Sequence, residues 1–296
     1  MRVGVVGPGY IGARHIEAWR HLDVALHGYA RSPLRRAEVA AAFPEVTWQP
    51  TLDALLATVD VVDVCTPTDT HADLTARAAA AGKHVICEKP LARTVDEADA
   101  MIAACADAGV QLHVAHVGRY AGGYVAARQA VLDGEVGQLT GLRLYRGGAA
   151  PAWAGWFADE ARSGGVLLDL GIHDIDFARW VAGDVVDVVG ELAGPGHGRA
   201  VLTHVSGVRS EVTAEWGAAG RPFRRTFEIE GTEGSLHHDS AHETAGGRGA
   251  DPTVEMLAEF RAAIRGGPPP RVTAVDGRAA LRAALAAAEA ALGSTP

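Results

Sequence analysis

The sequence predicts an α/β chain in two parts. A doubly wound parallel sheet comes first, and an α/β half built on a large, mostly antiparallel open sheet follows. Three observations predict this. Up to Ala115, short apolar stretches alternate with stretches of helix length. A glycine turn, Gly7-Pro8-Gly9-Tyr10-Ile11-Gly12, falls directly after the first apolar stretch. Beyond Leu132, strand-like stretches succeed one another with Gly and Pro between them and few helices.

In the first part the strand candidates are Arg2–Val6, Val24–Tyr29, Val61–Cys65, His84–Cys87 and Gln111–Ala115. Continuous apolar runs of this length suit strands covered on both faces, as in a parallel sheet. Leu34–Phe43, Ala72–Ala81 and Asp96–Ala108 read as helices, and Thr94 with Glu97 three residues on forms a capping box for the last. The alternation implies βαβ units with right-handed crossovers. In the second part, helices are expected over Ala121–Leu132 and around Leu168–Val181. Strands are expected at Leu139–Tyr145, Val185–Leu192, Ala200–Ser206, Glu211–Trp216, Phe223–Glu230 and Ser235–His238. The Gly-rich stretch Asp239–Asp251 reads as a mobile loop. Two alanine-rich helices, near Thr253–Arg265 and Val275–Leu292, close the chain. The expected domains are residues 1–118 and 119–296, with the closing helices able to pack back on the first.

Length and composition narrow the class. A chain of 296 residues suits two domains of ordinary size. A net charge of −9 argues against a nucleic-acid partner, which calls for a basic face. No apolar run approaches the roughly 20 residues that cross a bilayer, so no membrane role is expected. The N-terminus enters the first strand at once, without a leader pattern. Cys65, Cys87 and Cys105 form no CxxC pair and read as buried thiols, which fits a cytoplasmic protein.

The glycine turn lies between a strand and a helix, the context in which it binds a dinucleotide. Gly7 permits the tight turn, Gly9 lets backbone approach a pyrophosphate, and Gly12 allows close helix–strand packing. Tyr10 and Ile11 open the helix whose N-terminal N–H groups would meet the phosphates. The second strand should end in an acid for the ribose 2′-OH of NAD. Here it runs Tyr29-Ala30-Arg31-Ser32, with Arg35 and Arg36 a turn later. A carboxylate would repel an adenosine 2′-phosphate, whereas a guanidinium and a hydroxyl would bind one. NADP(H) is therefore expected over NAD(H), and Arg31, Ser32 and Arg35 are its candidate ligands. The alternative is that these arginines are solvated surface charges.

A second sequence feature is His84-Val85-Ile86-Cys87-Glu88-Lys89-Pro90, an apolar strand delivering a carboxylate, a lysine and a proline at its end. A parallel sheet gathers its strand ends on one edge, so Lys89 and the glycine turn should face each other. Further on, Asp169, His173 and Asp176 are spaced to share one face of a helix. Three readings apply to that polar stripe: a metal site, a structural histidine held by carboxylates, or an acid–base group. Hydride chemistry needs no metal, and no metal is expected. Histidine, with an unperturbed pKa of about 6.5, suits proton transfer near neutral pH.

In this order the motifs resemble the Gfo/Idh/MocA family of oxidoreductases, the group of glucose–fructose oxidoreductase and inositol dehydrogenase. The markers are Gly7–Gly12, Val64-Cys65-Thr66-Pro67-Thr68 with His71, Glu88-Lys89-Pro90, and the run from Asp169 to Asp176. Phe227–Gly234 resembles the family's later sheet. The resemblance implies an N-terminal Rossmann domain and a C-terminal α/β domain whose open sheet often forms a homo-oligomer interface, dimer or tetramer. It implies a cis Lys89–Pro90 bond, with Thr66, Pro67, His71, Glu88 and Lys89 on the cofactor side. It implies a sugar, polyol or related alcohol or carbonyl as substrate. His173 would then be the proton acceptor, Asp169 its partner or a substrate anchor, and Lys89 the group that polarises the substrate oxygen.

Other substrate contacts are expected at His116 and Arg119, after the last parallel strand, with an interdomain salt bridge as the alternative for Arg119. Trp153 and Trp156, with Phe157, offer aromatic faces to a sugar ring or nicotinamide, or else form a core cluster or an oligomer contact. Tyr145 is similar. Two further classes compete with the dehydrogenase or reductase. One is an NAD-dependent glycoside hydrolase of the same fold, and the missing acid at Ala30 argues against it. The other is a non-catalytic cofactor-sensing regulator, which would tend to lack Lys89, Asp169 and His173.

Overall fold

The computed structural model describes residues 1–150, 159–194, 196–242 and 251–293. In chain order the first stretch gives β1 (Arg2–Val6), α1 (Tyr10–Arg20), β2 (Ala25–Tyr29), α2 (Pro33–Ala42), β3 (Thr47–Trp48), α3 (Leu52–Thr58) and β4 (Val61–Val64). It continues with α4 (His71–Ala80), β5 (His84–Glu88), α5 (Val95–Asp107) and β6 (Leu112–Ala115). Then come α6 (Gly122–Leu132), β7 (Leu139–Ala149), α7 (Glu160–Ser163), a π-helical turn at Leu167–Gly171 and α8 (Ile172–Ala182). Five strands follow: β8 (Val185–Leu192), β9 (His197–His204), β10 (Arg209–Gly217), β11 (Arg224–Gly231) and β12 (Ser235–Asp239). The chain closes with α9 (Pro252–Ile264) and α10 (Ala274–Gly293). There are two compact units, Met1–Val117 with Ala250–Arg278, and Gly118–Gly249 with Ala279–Pro296.

The first unit is built on six parallel strands in the order β3-β2-β1-β4-β5-β6. Val3, Val5, Val61, Val64, Val85 and Ile86 are fully buried, as expected of strands covered on both faces. β1 lies between β2 and β4, so the strand order reverses there, and the crevice outside the carboxyl ends of such strands is where ligands bind. Several of the unit's helices are held at their starts by side chains. Thr94 and Glu97 form the expected capping box of α5, and Ser32 caps α2 with Pro33 at its first position. Two elements escaped the sequence reading. β3 has only two residues, Thr47 and Trp48, paired with His27 and Gly28. α3 is a short helix started by Thr51, whose Oγ1 accepts the Ala54 N–H at 3.1 Å.

The second unit contains a six-stranded sheet in the order β12-β11-β7-β10-β9-β8. Its pairings are antiparallel except for β7 with β10, which run parallel. Leu142, Leu144, Ala200, Leu202, Val212, Ala214, Phe227 and Ile229 are buried on one face, which the π turn and α8 cover. Tyr124 meets Phe177 and Phe227 edge-on at 4.5 and 5.1 Å there. The other face carries ion pairs, among them Arg143 with Glu228 at 2.6 Å and Arg199 with Glu211 at 2.9 Å. Such exposed pairs contribute about 0–1 kcal/mol each, so this face is held by its backbone ladder and by the core beneath it. The expected helix around Leu168–Val181 is present, but its first turn is π-helical. Of the expected mobile loop, Asp239 ends β12 and Ser240–His242 form a 3-10 turn, while residues 243–250 lie outside the described residues.

Candidate active site

The first unit gathers its candidate residues at the carboxyl edge of the sheet. Gly7 follows β1, Ala30 to Ser32 follow β2, Thr66 and Pro67 follow β4, Lys89 follows β5 and His116 follows β6. The glycine turn fits the role expected of it. Gly7 adopts φ +85°, a conformation L side chains rarely take, and a Cβ there would stand 2.5 Å from Thr66 Cγ2. A Cβ on Gly12 would stand 2.4 Å from the Gly7 carbonyl oxygen, so no side chain fits beneath α1. A Cβ on Gly9 would meet nothing within 4 Å. Gly9 therefore borders open space at the start of α1, where the helix dipole suits a pyrophosphate. Tyr10 is half exposed and Ile11 partly buried on that first turn.

At the end of β2, Arg31 and Ser32 are exposed. Ser32 Oγ accepts the Arg35 N–H at 3.3 Å as the helix cap. Arg35 itself is engaged: its Nε donates to the Pro8 carbonyl at 3.0 Å and its Nη1 to Glu38 at 2.8 Å. It thus braces the glycine turn from the side, a duty that spacing alone does not reveal.

The turn after β5 is anchored from below. The Lys89–Pro90 bond is cis, as the resemblance implied. Glu88 does not point outward. Its Oε1 lies 3.0 Å from His15 Nε2, and its Oε2 accepts the Lys89 backbone N–H at 3.1 Å. His15, on α1, is buried and presents Nδ1 to Asp63 at 2.9 Å. Asp63 also accepts Trp19 Nε1–H at 2.8 Å and the Cys65 thiol at 3.5 Å. Ligand atoms of His15, Asp63 and Cys65 lie within 4.8 Å of one another, but burial pushes the Cys65 thiol far up and keeps it a proton donor. These groups form a hydrogen-bonded cluster. His71, expected beside the cofactor, is 1% exposed. Its Nδ1 lies 2.9 Å from the Pro90 carbonyl and its Nε2 2.9 Å from the Thr66 carbonyl. Burial, outweighing these contacts, lowers its pKa. It ties the β4 and β5 turns together. Thr66 and Pro67 are partly exposed at the tip, and His116 is buried at the end of β6.

In the second unit, every residue from Val166 to Ala178 is buried except His173, which is partly exposed. Asp169 lies in the π turn just before α8, and π turns recur at functional sites. Asp176 does not join them as a free carboxylate. Arg119 holds it through Nε at 2.9 Å and Nη2 at 2.7 Å. Arg119, expected as a substrate contact with an interdomain salt bridge as the alternative, is 3% exposed and pairs with Asp176 inside the second unit. Arg146 holds Asp174 in the same way, at 3.0 and 2.8 Å. Tyr145 is another expected substrate contact. It neighbours Arg146 on β7, so it stands on the opposite, open face of the sheet, where its hydroxyl accepts from Arg221 at 2.9 Å. It is turned away from the face that packs on α8. Trp153, Trp156 and Phe157 lie outside the described residues.

Sequence reasoning missed His15, Asp63, Arg146 and Asp174. A signal existed for two of them. Asp63 interrupts Val61-Val62-Asp63-Val64, and a carboxylate in a strand buried on both faces must have a partner. Arg146 shares parity with Leu142 and Leu144 and so had to face the core.

Comparison with known proteins accords with this geometry. Residues 1–116 match the model of an oxidoreductase family with an NAD-binding Rossmann fold, and residues 124–237 match the GFO/IDH/MocA C-terminal domain. The myo-inositol 2-dehydrogenase of Thermotoga maritima is 30% identical, over 97% of this chain and 95% of its own length. The 1,5-anhydro-D-fructose reductase of Ensifer adhaerens is 34% identical over 79% of this chain and 78% of its own. Among solved structures, levoglucosan dehydrogenase in complex with NADH and levoglucosan superposes with a TM-score of 0.88 at 25% identity, covering 100% of this chain and 98% of that one. GenD2 from gentamicin A biosynthesis, in complex with NAD, gives 0.90 at 26% identity, covering 100% and 95%.

Proposed function

The chain belongs to the GFO/IDH/MocA family of NAD-binding oxidoreductases, and we propose that it interconverts a secondary alcohol and a carbonyl on a sugar, a polyol or a close derivative, with NADP(H) preferred. One observation carries this reading: the glycine turn after β1 and Lys89 after β5 leave the same edge of one parallel sheet, on either side of β4. The substrate class is supported by the relatives, which are named for inositol, anhydrofructose and levoglucosan.

The nicotinamide, when bound, takes or returns the hydride. The residues of the chain handle the proton and the orientation. Lys89 donates a hydrogen bond to the substrate oxygen and polarises it. His173 accepts the hydroxyl proton during oxidation and returns it during reduction. Asp169 orients the His173 ring and stabilises its protonated form. The glycine turn and the N-terminus of α1 hold the pyrophosphate. Arg31 and Ser32 hold the adenosine 2′-phosphate, since the end of β2 bears no acid that would repel it. The protein is read as cytoplasmic, and no described helix is long and apolar enough to cross a membrane. A dimer or tetramer formed through the open face of the second sheet is the proposed assembly, to be weighed by light scattering.

Steady-state consumption of NADPH and NADH across a panel of sugar and polyol carbonyls tests the reading. Net turnover that favours NADPH and falls at least about a hundredfold in both Lys89→Ala and His173→Ala supports it. Turnover near the wild-type rate in both variants would show the acid–base assignment to be wrong.

A further inference from the structure

Beneath Lys89 lies a chain of buried polar groups that the reaction does not touch. It runs from Trp19 Nε1 to Asp63, from Asp63 to His15 Nδ1, from His15 Nε2 to Glu88 Oε1, and from Glu88 Oε2 to the Lys89 backbone N–H. The contacts measure 2.8, 2.9, 3.0 and 3.1 Å. The side chains of His15 and Asp63 are 2% and 0% exposed, and that of Glu88 is 13% exposed. Every group on this path is therefore tied to its neighbour in surroundings where an unmatched polar atom costs several kcal/mol.

Both ring nitrogens of His15 face carboxylate oxygens. An ionised carboxylate only accepts, so each contact is favourable only if that nitrogen carries a proton. The groups facing the ring are Asp63 on β4, Cys65 just beyond it, and Glu88 at the end of β5. Burial is the largest influence and works against a charged ring, but Asp63 and Cys65 together outweigh it and hold the His15 pKa well above the ordinary histidine range. His15 also lies three residues beyond Gly12, on the helix whose N-terminus faces the phosphates. One ring therefore joins the cofactor-binding helix to the strand end that bears the lysine.

We propose that His15 is a positioning residue for the reaction, an imidazolium strut that fixes the Glu88 carboxylate and through it the backbone of Lys89. It touches neither substrate nor cofactor. Its effect is geometric: with Glu88 held, the Lys89 side chain starts from a fixed point. A displacement of about 1 Å at a reacting group can cost about a hundredfold in rate. This inference rests on the assignment of Lys89 as the polarising group.

Two measurements test it. The first is nitrogen NMR of the full-length wild-type protein labelled in histidine. Both His15 ring nitrogens should be protonated and remain so across about pH 5 to 8, where an ordinary histidine changes charge. A His15 ring that loses a proton with a midpoint near 6.5, or that carries a single proton at neutral pH, overturns the proposal. The second compares His15→Phe and Glu88→Gln with Lys89→Ala, each normalised to cofactor-binding sites. The two strut variants should lose about ten- to a hundredfold in kcat, and in His15→Phe cofactor Kd should stay close to wild type. Wild-type kcat in both strut variants, with Lys89→Ala inactive, overturns the positioning role alone. Wild-type kcat in Lys89→Ala instead overturns the assignment of Lys89, and the positioning role falls with it. The His15 spectrum is read independently of turnover, so it remains decisive if His15→Phe does not fold.

Discussion

Arg119 grips Asp176 through two hydrogen bonds, Nε to Oδ2 at 2.9 Å and Nη2 to Oδ1 at 2.7 Å, and both side chains are almost wholly buried. Two residues earlier on α8, Asp174 is gripped by Arg146 from β7. Residues two apart on a helix point to different sides, so the two arginines clasp α8 from different directions just after His173. The register of the helix, and hence the place of His173, is fixed by charge as well as by apolar packing.

Breaking one of these pairs strands a buried charge, which costs about 3–5 kcal/mol. Arg119→Met is therefore expected to lower unfolding stability by about that amount, as measured by urea titration. A substrate contact would behave differently. It would raise KM and leave the unfolding midpoint in place, and that result would return Arg119 to the binding site.

The parts of the candidate site written as local motifs are those the sequence exposes. Gly7 to Gly12, Glu88-Lys89-Pro90 and Asp169 with His173 each lie within a few residues, so spacing alone exposes them. The supports were not legible, because they pair residues far apart in the chain. His15 meets Asp63 across 48 positions, and Arg119 meets Asp176 across 57. Nothing in local spacing names such partners. Strand parity gives Tyr145 its face: its neighbour Arg146 belongs to the buried face, so Tyr145 stands on the other one. β3 and α3 were missed because two and seven residues are too few to develop a periodicity.

Two buried histidines should give the stability opposite dependences on pH. His113 stacks on Phe260 at 4.8 Å, and burial, with His84 nearby, lowers its pKa to about 4. The unfolded chain takes up a proton near pH 6.5, and the folded ring resists until about pH 4. Between those values the unfolded state binds more protons, so stability falls as pH falls, by about 3 kcal/mol in all. His71, also lowered, acts in the same direction. His15, raised, contributes stability that is complete below about pH 6.5 and is lost as pH rises through its folded value. Urea midpoints between about pH 7 and pH 4 should therefore decline on the acid side, and His113→Phe should flatten that decline while keeping the ring stack. An unchanged slope in the variant would assign the acid sensitivity to other groups.

Cofactor choice should turn on the end of β2. Arg31 and Ser32 are exposed there, while Arg35 is held by the Pro8 carbonyl and Glu38. A hydrogen bond to a charged group is worth about 1.5–3 kcal/mol, so Arg31→Ala should weaken NADP(H) binding about ten- to a hundredfold with little effect on NAD(H). Ala30→Asp should supply the missing ribose ligand and shift preference towards NAD(H). Titration of both cofactors by nicotinamide fluorescence checks this. A wild-type protein that prefers NAD(H) would overturn the 2′-phosphate assignment outright.

The glycine turn allows fold and cofactor binding to be separated within three residues. A Cβ on Gly12 would press to 2.4 Å on the Gly7 carbonyl, a backbone atom that cannot swing aside. Gly12→Ala should therefore destabilise the first unit by about 1–3 kcal/mol, with or without cofactor. A Cβ on Gly9 meets nothing within 4 Å, and the backbone there, at φ −75°, suits alanine. Gly9→Ala should cost the empty protein less than about 1 kcal/mol, the usual penalty for alanine at a helix N-cap. Its cost should appear only when a pyrophosphate approaches, as a loss of at least about tenfold in cofactor affinity, or about 1.4 kcal/mol. Thermal unfolding with and without cofactor reads both effects. If Gly9→Ala bound cofactor as the wild type does, the open space above Gly9 would not be where the phosphates lie. The dinucleotide would then have to be held by some other part of the carboxyl edge, with Gly7 and Gly12 serving packing alone.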